Sequence, residues 1–470
     1  MKYDLIIRDC LVVDPDNDIK QVISVGVKDG KIIEVGDSLD GSVANQVVEF
    51  PEMVLMPGII DTHIHASDLL GGNLSFGMIA RAGVTTALDM AGPVNVVMDY
   101  MRDWGFGINI AVVNALWPGC TIQNLDPSLD ECRTLASNSL KSGAIGLKLI
   151  GGHYPLTPQA CSNAFQAANE ARAYVACHAG SEKSGSNIDG VFDAVEFAQG
   201  RPFHLAHINA YCRGMIMGDA KEELKKVLQL LVDNRQVISE FHCAPLNGAN
   251  GKCIDGVPES HIVRNCLKMG NYEISEQGLI KAFKEGYAQA SWENLDGENR
   301  YVQGEKAFEY WRMNKGNCTC CFPVNDREVA FLCASSKDKA GKFIIDALST
   351  DGGGIPRNFL LYYGYQLVEW GAWTVSDFVR KASSIPAKML GLSNKGHLSV
   401  GADADITIFN PATRKAVMTV VNGQINCVHG ALMGEKGTIK CTEQGKEAVI
   451  AAGLKPYIVD LEKSILYSGR

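Results

Sequence analysis

The stretch Met56-Pro57-Gly58-Ile59-Ile60-Asp61-Thr62-His63-Ile64-His65 decides how the rest of this sequence is interpreted. A Pro-Gly turn leads into an apolar run, which is typical of a short buried strand, and two histidines stand two positions apart at its end. Alternate side chains on a strand point to the same face, so His63 and His65 can bind one metal ion together. A buried strand with two hydrogen-bonded polar residues is the alternative. Because imidazole pairs with nearby carboxylates form the usual divalent-metal site, the pattern favours metal binding.

Composition and charge limit the classes of protein to which the chain can belong. Its 470 residues are too many for one simple core, and 46% hydrophobic and 21% charged residues are ordinary for a soluble globular protein. A net charge of -9 argues against nucleic acid or an anionic membrane as a partner. The sequence contains no apolar stretch long enough to span a bilayer, and acidic residues interrupt the N-terminal segment too early for a signal peptide. We therefore expect a cytoplasmic protein.

The fifteen cysteines occur without a secretory signal, which indicates free thiols in a reducing compartment. The densest group is Cys318-Thr319-Cys320-Cys321, which lacks a second paired cluster at the spacing of a zinc site. We therefore interpret these residues as loop thiols, with metal binding as the alternative.

Both ends of the chain have the pattern of short strands. Val22–Val27 and Lys31–Val35 flank an Asp-Gly turn near the start, and Ile406–Phe409 belongs to a similar pair of strands near the end. Neither end has enough apolar surface to fold alone. We predict one composite β-sandwich built from residues 1–56 and 395–470, the latter ending in a tail whose structure the sequence leaves unassigned.

The middle of the chain alternates apolar, strand-like runs with amphipathic helical segments. The predicted strands are Ile59–His63, Thr85–Met90, Asn109–Asn114, Ile145–Ile150, Tyr174–His178, Phe203–His207, Val237–His242 and Phe343–Ser349. Eight such units with parallel crossovers predict an α/β fold, a (β/α)₈ TIM barrel over residues 57–394. The span of about 244–342, between the seventh and eighth strands, is too long for a plain loop. It predicts an insertion that acts as a lid or a specificity wall.

Polar side chains stand at the ends of several of these predicted strands. In a barrel of this kind the active site lies at the C-terminal ends of the strands, where residues from different strands meet. The residues so placed are His63 and His65 on the first strand, Lys148 on the fourth, His178 on the fifth, His207 on the sixth and Asp351 on the eighth. Five strands would therefore each bring a potential metal ligand to one rim of the barrel.

This set of residues resembles the amidohydrolase superfamily, in its form with two metal ions bridged by a carboxylated lysine. The resemblance rests on residues 57–66, on Gly83-Val84-Thr85-Thr86, on the Lys, His, His and Asp strand ends, and on the returning segment 396–406. It covers about the first 430 residues, apart from the insertion. The combination of these motifs is highly specific.

The resemblance implies a role for each metal ligand. His63 and His65, together with Asp351, would hold the more buried metal ion. His178 and His207 would hold the second. The implied cofactors are two divalent metal ions, expected to be zinc.

The remaining ligand, Lys148, would act as a carbamate formed with carbon dioxide, because an ammonium group cannot bind a cation. That reaction needs a lysine whose pKa is lowered, and burial in an apolar strand lowers it. A lysine that extends to solvent or pairs with a carboxylate is the alternative. In this family type a hydroxide bridging the two metals attacks the amide, and Asp351 would act as the proton shuttle to the leaving nitrogen.

Further candidate residues lie close to the predicted strand ends. His153 and Tyr154 follow the fourth strand, where cyclic-amidase relatives place a tyrosine that hydrogen-bonds the oxyanion, although the spacing here is one residue longer. His242 ends the seventh strand, where relatives bind substrate through backbone groups. Arg213 and Arg357 follow the sixth and eighth strands and could bind a substrate carboxylate, with a solvated surface arginine as the alternative.

The resemblance favours hydrolysis of a carbon–nitrogen amide bond in a small cyclic amide, of the hydantoin, dihydropyrimidine or lactam type. Asp89-Met90 resembles hydantoinases, dihydropyrimidinases, allantoinases and dihydroorotases. Residues 142–146 and Tyr154-Pro155 resemble N-acyl-D-amino-acid deacylases, which act on linear amides. Those deacylases generally bridge their metal ions with a cysteine and lack the lysine of the fourth strand. Lys148 therefore favours the cyclic substrate and leaves the linear one open.

Two other functional classes fit the sequence less well. Deaminase relatives use one metal ion, no lysine and a glutamate as proton shuttle, and the segment after His207, Ile208-Asn209-Ala210, contains no carboxylate. Non-catalytic, scaffold-like relatives lose metal ligands, whereas this sequence retains each of them. The resemblance also implies a homo-oligomer, either a dimer or a tetramer.

Overall fold

The structure is a computed structural model that describes residues 2–37, 39–68, 71–295 and 298–469. Across these residues, none of the helices combines the length and the hydrophobicity that crossing a membrane would require.

The N-terminal segment forms strands joined by tight turns. In chain order these are β1 (Tyr3–Asp14), β2 (Ile19–Lys28), β3 (Lys31–Gly36), β4 (Ala44–Glu49) and β5 (Val54–Pro57). β1 pairs antiparallel with β2 and parallel with β4 and β5. Asp29 and Gly30 have positive φ values of 48° and 76°, which suits the predicted two-residue turn between β2 and β3.

The next part of the chain alternates parallel strands with helices. The elements are β6 (Ile59–His65), α1 (Ser75–Arg81), β7 (Val84–Asp89), α2 (Val94–Trp104), β8 (Asn109–Ala115), α3 (Leu129–Lys141), β9 (Gly146–Ile150), α4 (Pro158–Glu170), β10 (Tyr174–His178), α5 (Ile188–Ala198), β11 (Phe203–Leu205), α6 (Ala220–Asp233) and β12 (Val237–Phe241). Neighbouring strands in the sheet follow chain order from β6 to β12, and each pair is parallel. Helices cover the outer face of the sheet and bury its apolar runs.

The insertion after β12 has a small core of its own. Its elements are β13 (Asn247–Asn250), β14 (Cys253–Ile254), β15 (Val257–Pro258), α7 (His261–Met269), α8 (Glu276–Lys284), β16 (Gln289–Leu295), β17 (Glu298–Val302), α9 (Gly304–Met313), β18 (Thr319–Phe322) and α10 (Arg327–Ser335). Phe283, Trp311 and Cys320 are buried together in this core, so the cysteine group belongs to a packed strand rather than to a loop. By contrast, Val329 and Cys333 of α10 pack in the barrel core. The separately packed part therefore spans residues 247–324, which is shorter than the insertion of about 244–342 that the sequence predicts.

The ring closes at a strand that is interrupted in the middle. β19 (Ala347–Leu348) pairs parallel with β12, and β20 (Gly352–Gly353) pairs parallel with β6. The sequence predicts one strand over Phe343–Ser349. The backbone leaves the extended conformation between the two pieces, where Asp351 has a left-handed φ of 51°. The predicted TIM barrel is confirmed.

The C-terminal part returns to the first sheet. Its elements are α11 (Leu360–Glu369), α12 (Val375–Val379), α13 (Ile385–Met389), β21 (Ile406–Asn410), β22 (Lys415–Val421), β23 (Gln424–Val428), β24 (Ala431–Leu432), β25 (Thr438–Cys441), α14 (Lys446–Ala451), β26 (Lys455–Ile458) and α15 (Ile465–Ser468). β21 pairs antiparallel with β5, so strands from both chain ends form one continuous sheet. Its core contains side chains from both ends of the chain, namely Val12 and Val25 from the N-terminal part and Ile408 and Val420 from the C-terminal part. A composite β unit requires such a shared core.

The tail after β24 packs against the barrel rather than the composite sheet. β25 pairs parallel with β8 and with β26. Ile439 and Cys441 belong to the main barrel core, and Leu461 and Leu466 belong to a second apolar cluster together with residues of the barrel strands. The tail is therefore an integral part of the barrel.

Candidate metal centre and active site

The predicted ligands come together at the C-terminal ends of the barrel strands. His63 and His65 end β6, Lys148 lies in β9, His178 ends β10, His207 follows β11, and Asp351 lies between β19 and β20. All of these side chains line one cavity. Five of them are buried, with His65 and Asp351 the most exposed of the five at 7%, whereas His178 is half-buried.

Asp351 is the centre of an inner group of ligand atoms. Its Oδ1 lies 2.9 Å from His65 Nε2 and 3.3 Å from His63 Nε2. Ligand atoms of His63, His207 and Asp351 all lie within 4.8 Å of one another, close enough to surround one cation. Burial opposes ionisation of this carboxyl group, but the charge of Arg357 and the neighbouring histidines hold the pKa of Asp351 well below its usual value. The inner group therefore contains one ionised carboxylate.

His178 and His207 form an outer group. His178 Nδ1 lies 3.0 Å from His207 Nε2, and the two rings meet edge to face. Burial lowers the pKa of both histidines well below the usual value, so both rings are neutral and can offer a lone pair. These two nitrogens converge at one point, as two ligands of a single cation do.

Close packing holds the ring of His178 in this orientation. Its Nε2 lies 2.8 Å from the hydroxyl of Ser186, which leaves Nδ1 to face His207. A Cβ atom at Gly152 would lie only 2.3 Å from His178 Nε2. The loop after β9 can therefore pass behind the ring because residue 152 is glycine.

Lys148 lies in the same cavity without an acidic partner. Its Nζ contacts the sulfur of Met90 at 3.5 Å, and no carboxylate of the described residues forms an ion pair with it. Burial lowers the pKa of Lys148 to about 8. With that pKa, about a tenth of the amine is unprotonated at pH 7, and the unprotonated amine is the form that carbamate formation requires.

Two buried carboxylates support the histidines, and the sequence analysis singled out neither. Glu240 on β12 accepts a hydrogen bond from His63 Nδ1 at 2.7 Å. Asp61 accepts hydrogen bonds from the backbone N–H groups of His63 and Thr350, both at 3.2 Å. An acidic residue inside the apolar run Val237-Ile238-Ser239-Glu240-Phe241 was the signal that could have identified Glu240.

Comparisons with known proteins show which proteins this chain is similar to. Residues 308–435 match the model of the Amidohydrolase family. An allantoinase of Bacillus velezensis is 22% identical over 455 residues, which cover 87% of this chain and 86% of that protein. A dihydroorotase of Trichlorobacter lovleyi is 22% identical over 452 residues, covering 88% and 91%. The structure of N-acyl-D-glutamate deacylase from Bordetella bronchiseptica, with zinc and a phosphonate inhibitor, superposes with a TM-score of 0.68 at 15% identity, covering 93% and 99%.

The chain therefore resembles the amidohydrolases over most of its length.

The other predicted site residues differ in whether they reach the cavity that the candidate ligands line. His153 lines the same cavity, and burial lowers its pKa to about 4, so its ring is neutral. Tyr154 stacks on Trp117, with ring centroids 6.2 Å apart, and is not among the cavity-lining side chains. His242 is buried, and its Nδ1 accepts a hydrogen bond from the N–H of Ala244. Of these three, His153 has direct access to the cavity.

The two arginines predicted to bind substrate make contacts at the base of the insertion. Arg357 donates to Asp351 Oδ2 at 2.5 Å and to the carbonyl of Leu246 at 2.9 Å. Arg213 donates to Asn325 Oδ1 at 2.8 Å, and the amide of Asn325 donates to the Leu246 carbonyl at 3.3 Å. The two arginines therefore lie at either side of the segment through which the insertion leaves the barrel.

The insertion covers the candidate site. Asn247 and Gly248 of β13 and Ile262 of α7 complete the wall of the cavity opposite the ligands. The cavity that remains is small, with a volume of about 30 Å³, which is enough for a few water molecules at most. A substrate must therefore displace part of this wall to reach the ligands.

Proposed function

We propose that this protein is a metal-dependent hydrolase that cleaves the carbon–nitrogen amide bond of a small cyclic amide. The observation that carries the proposal is the convergence of three kinds of ligand, namely four histidines, a lysine without an acidic partner and an ionised aspartate, on one buried cavity. The similarity to an allantoinase and a dihydroorotase over most of the chain supports a cyclic substrate. The match to a deacylase structure at 15% identity bears on the fold alone.

The side chains present fit a pair of divalent cations, for which zinc is our assignment. Neutral imidazoles and a carboxylate are the donors that zinc prefers. His63, His65 and Asp351 would hold the inner ion, and His178 and His207 would hold the outer one. The carbamate of Lys148 would contribute an anionic ligand to both. Bound cations of this kind lower the pKa of water and polarise a carbonyl group.

Within that arrangement, we assign the proton transfers to Asp351. Its carboxylate is ionised, buried and held by Arg357, so it can accept a proton from the attacking water and return it to the leaving nitrogen. Among the candidates for hydrogen bonding to the carbonyl oxygen, His153 is favoured because it lines the cavity. Tyr154 would first have to leave Trp117.

The contacts of the two arginines favour a positioning role over direct recognition of a substrate carboxylate. The guanidinium group of Arg357 is engaged by Asp351 and Leu246, and that of Arg213 by Asn325. We therefore assign substrate selection chiefly to the wall formed by Asn247 and by the backbone that follows His242.

The test is mass spectrometry of an amide panel incubated with the zinc-loaded enzyme in bicarbonate buffer. The panel contains hydantoins, dihydropyrimidines, lactams and N-acyl amino acids of both hands. One product heavier by one water is expected, because ring opening adds water without releasing a fragment. Two fragments would instead support the second candidate, a deacylase of linear amides, which the deacylase-like segments 142–146 and Tyr154-Pro155 favour. Loss of ammonia with gain of oxygen would contradict both and indicate a deaminase.

We further propose that the enzyme is a cytoplasmic homo-oligomer, a dimer or a tetramer, as its superfamily implies. Size-exclusion chromatography with light scattering measures the mass of the particle directly. A mass of one chain would contradict this assignment without affecting the proposed chemistry.

A further inference from the structure

Glu240 is a buried carboxylate directly beneath the candidate ligands, and the reaction proposed above assigns it no role. Its side chain is 0% exposed. Glutamate is almost never fully buried unless its charge is bound by partners, because removing a carboxylate from water is unfavourable. The partners of Glu240 therefore indicate what it does.

Those partners come from separate parts of the barrel rim. Oε1 accepts hydrogen bonds from His63 Nδ1 at 2.7 Å and from the backbone N–H of His207 at 2.9 Å. Oε2 accepts a hydrogen bond from the hydroxyl of Ser349. His63 lies on β6, His207 follows β11 and Ser349 follows β19, so one carboxylate on β12 connects strands on both sides of it.

The contact with His63 determines which ring nitrogen is free. An ionised carboxylate can only accept hydrogen bonds, so Nδ1 of His63 carries the proton. Nε2 then keeps its lone pair and faces Asp351 Oδ1 at 3.3 Å. Glu240 thereby directs the His63 lone pair toward the inner ligand group.

Glu240 holds His207 through the backbone N–H group of that residue and not through its ring. His207 has a φ of 33°, a conformation that a residue with a side chain rarely adopts. The hydrogen bond from its N–H to Glu240 stabilises this turn, which points His207 Nε2 at His178 Nδ1. The same carboxylate therefore holds one ligand of the inner group and one of the outer group.

We propose that Glu240 is a positioning residue that holds ligands of both metal ions in their binding geometry. This inference rests on the metal centre of the proposed function. The alternative is a purely structural carboxylate, which would affect the stability of the barrel and leave metal affinity unchanged.

The experiment measures zinc affinity separately from stability. Metal-free wild type and Glu240→Gln are titrated with zinc against a chromophoric chelator in bicarbonate buffer, and thermal unfolding is followed by circular dichroism. Wild type should bind two equivalents. Glu240→Gln keeps the size of the side chain but removes its charge, and we expect binding about 10- to 100-fold weaker, with the same far-ultraviolet spectrum.

A matched control distinguishes positioning from burial. Glu223 is also 0% exposed, but its carboxylate accepts hydrogen bonds from the N–H groups of Gly214, Ile216 and Met217, and it contacts none of the ligands. Glu223→Gln should lower the midpoint of thermal unfolding and leave zinc affinity unchanged.

Unchanged zinc affinity in Glu240→Gln would overturn the inference. If that variant does not fold, Glu240→Asp keeps the charge but withdraws the carboxylate from His63, and the same loss of affinity is expected. Wild-type affinity in Glu240→Asp would overturn the inference equally. Wild-type protein that binds no zinc would contradict the proposed metal centre itself, whatever the variants do.

Discussion

Asp351 is the residue on which most interactions of the candidate site converge. It contacts His63 and His65 on one side and Arg357 on the other, and the left-handed backbone at this position turns its carboxylate into the cavity. Lys148, in contrast, forms no ion pair with any described residue, and its Nζ lies 3.5 Å from the sulfur of Met90. The charge of Arg357 therefore holds the carboxylate of Asp351 in place, whereas the amine of Lys148 remains available for reaction.

These surroundings predict how two substitutions behave. We expect Lys148→Ala and Asp351→Ala each to abolish turnover while the far-ultraviolet spectrum stays unchanged. Loss of the proton shuttle alone should lower kcat by at least about 100-fold, and loss of the lysine should lower the zinc content measured by plasma mass spectrometry. Near-wild-type rates in either variant would contradict the mechanism.

A second substitution tests the packing behind His178. A methyl group at Gly152 would lie 2.3 Å from His178 Nε2, so Gly152→Ala must push the ring out of place. We expect zinc affinity to fall by roughly tenfold or more, as when other supports of a metal ligand are lost. Gly36→Ala is the matched control, because a Cβ atom there would meet no atom within 4 Å. Equal zinc affinity in Gly152→Ala and Gly36→Ala would contradict this expectation and would show that the loop after β9 can move without displacing the ring of His178.

At the scale of elements, the insertion is attached to the barrel by a few polar contacts near its base. Asn325 lies at the centre of them, because it accepts from Arg213 and donates to the carbonyls of Ala244 and Leu246. Asn299, on the hairpin of β16 and β17, adds a second attachment through the carbonyl of Gly354. These contacts determine how far the wall lies from the ligands.

Removing the central contact should loosen this wall. Asn325→Ala removes the hydrogen-bond partner of the buried Ala244 carbonyl and of Arg213, and leaves the Leu246 carbonyl with Arg357 alone, which should destabilise the closed position by about 1–3 kcal/mol. We expect faster amide hydrogen exchange across residues 247–324, measured by mass spectrometry, with the barrel strands unchanged. Asn317→Ala, at an exposed position of the same insertion, is the control. Faster exchange across the barrel as well would contradict a local role.

The C-terminal tail is an element whose removal should affect the whole barrel. Ile439, Val449, Leu461 and Leu466 are buried against barrel clusters. At about 1.5–3 kcal/mol each, these four side chains amount to about 6–12 kcal/mol, comparable with the usual total stability of about 5–15 kcal/mol. A chain ending at Gly430 should therefore be insoluble or unfolded. Removal of residues 469–470 alone should leave the unfolding midpoint unchanged, and a folded chain ending at Gly430 would contradict this role for the tail.

At the scale of the whole molecule, a buried polar network joins the composite sheet to the barrel. Lys395 Nζ lies 2.5 Å from Asp405 Oδ2 and 3.1 Å from Asp403 Oδ2. Asp405 in turn accepts from the amide of Asn109 on β8 at 2.9 Å. Lys440 is buried near this network, donates to Thr438 Oγ1 at 2.8 Å and has no carboxylate in an ion pair among the described residues.

Lys440 should make stability depend on pH. Burial, followed by the charge of Lys395, lowers the pKa of Lys440 well below its usual value, although the charges of Asp405 and Asp403 offset part of this. Below about pH 10 the unfolded chain binds a proton that the folded chain lacks, so stability falls as the pH is lowered from there. Each pKa unit of lowering corresponds to about 1.4 kcal/mol.

Lys440→Met removes the free-energy cost of taking the proton from this buried amine when the chain folds. We expect a larger free energy of unfolding in urea at pH 7, and a much smaller gain at about pH 10, because the unfolded chain begins to lose the same proton near its pKa of about 10.4. Lys463→Met, at an exposed position, serves as the control. A loss of stability at pH 7, or a gain of equal size at both pH values, would contradict the lowered pKa.

The sequence by itself determined the barrel and the residues around its cavity. Apolar runs that alternate with amphipathic segments can bury both faces of a sheet only with helices around it, and parallel strands then bring their C-terminal ends to one rim. The sequence places these residues by a single local fact, their position within or at the end of such a run: Lys148 lies inside its run, and His63, His65, His178 and His207 lie at the ends of theirs. No knowledge of distant contacts was needed.

Only the tertiary structure decided which groups orient those ligands. Glu240 and His63 are 177 positions apart in the chain, and Arg213 and Asn325 are 112 apart, so no local pattern links either pair. The tail presented the same difficulty, because the pairing of β25 with β8 joins residues from opposite parts of the chain. Hydrogen bonds of this kind depend on where the folded backbone places two side chains, and a buried charge is recognisable as a support only when its partners are known.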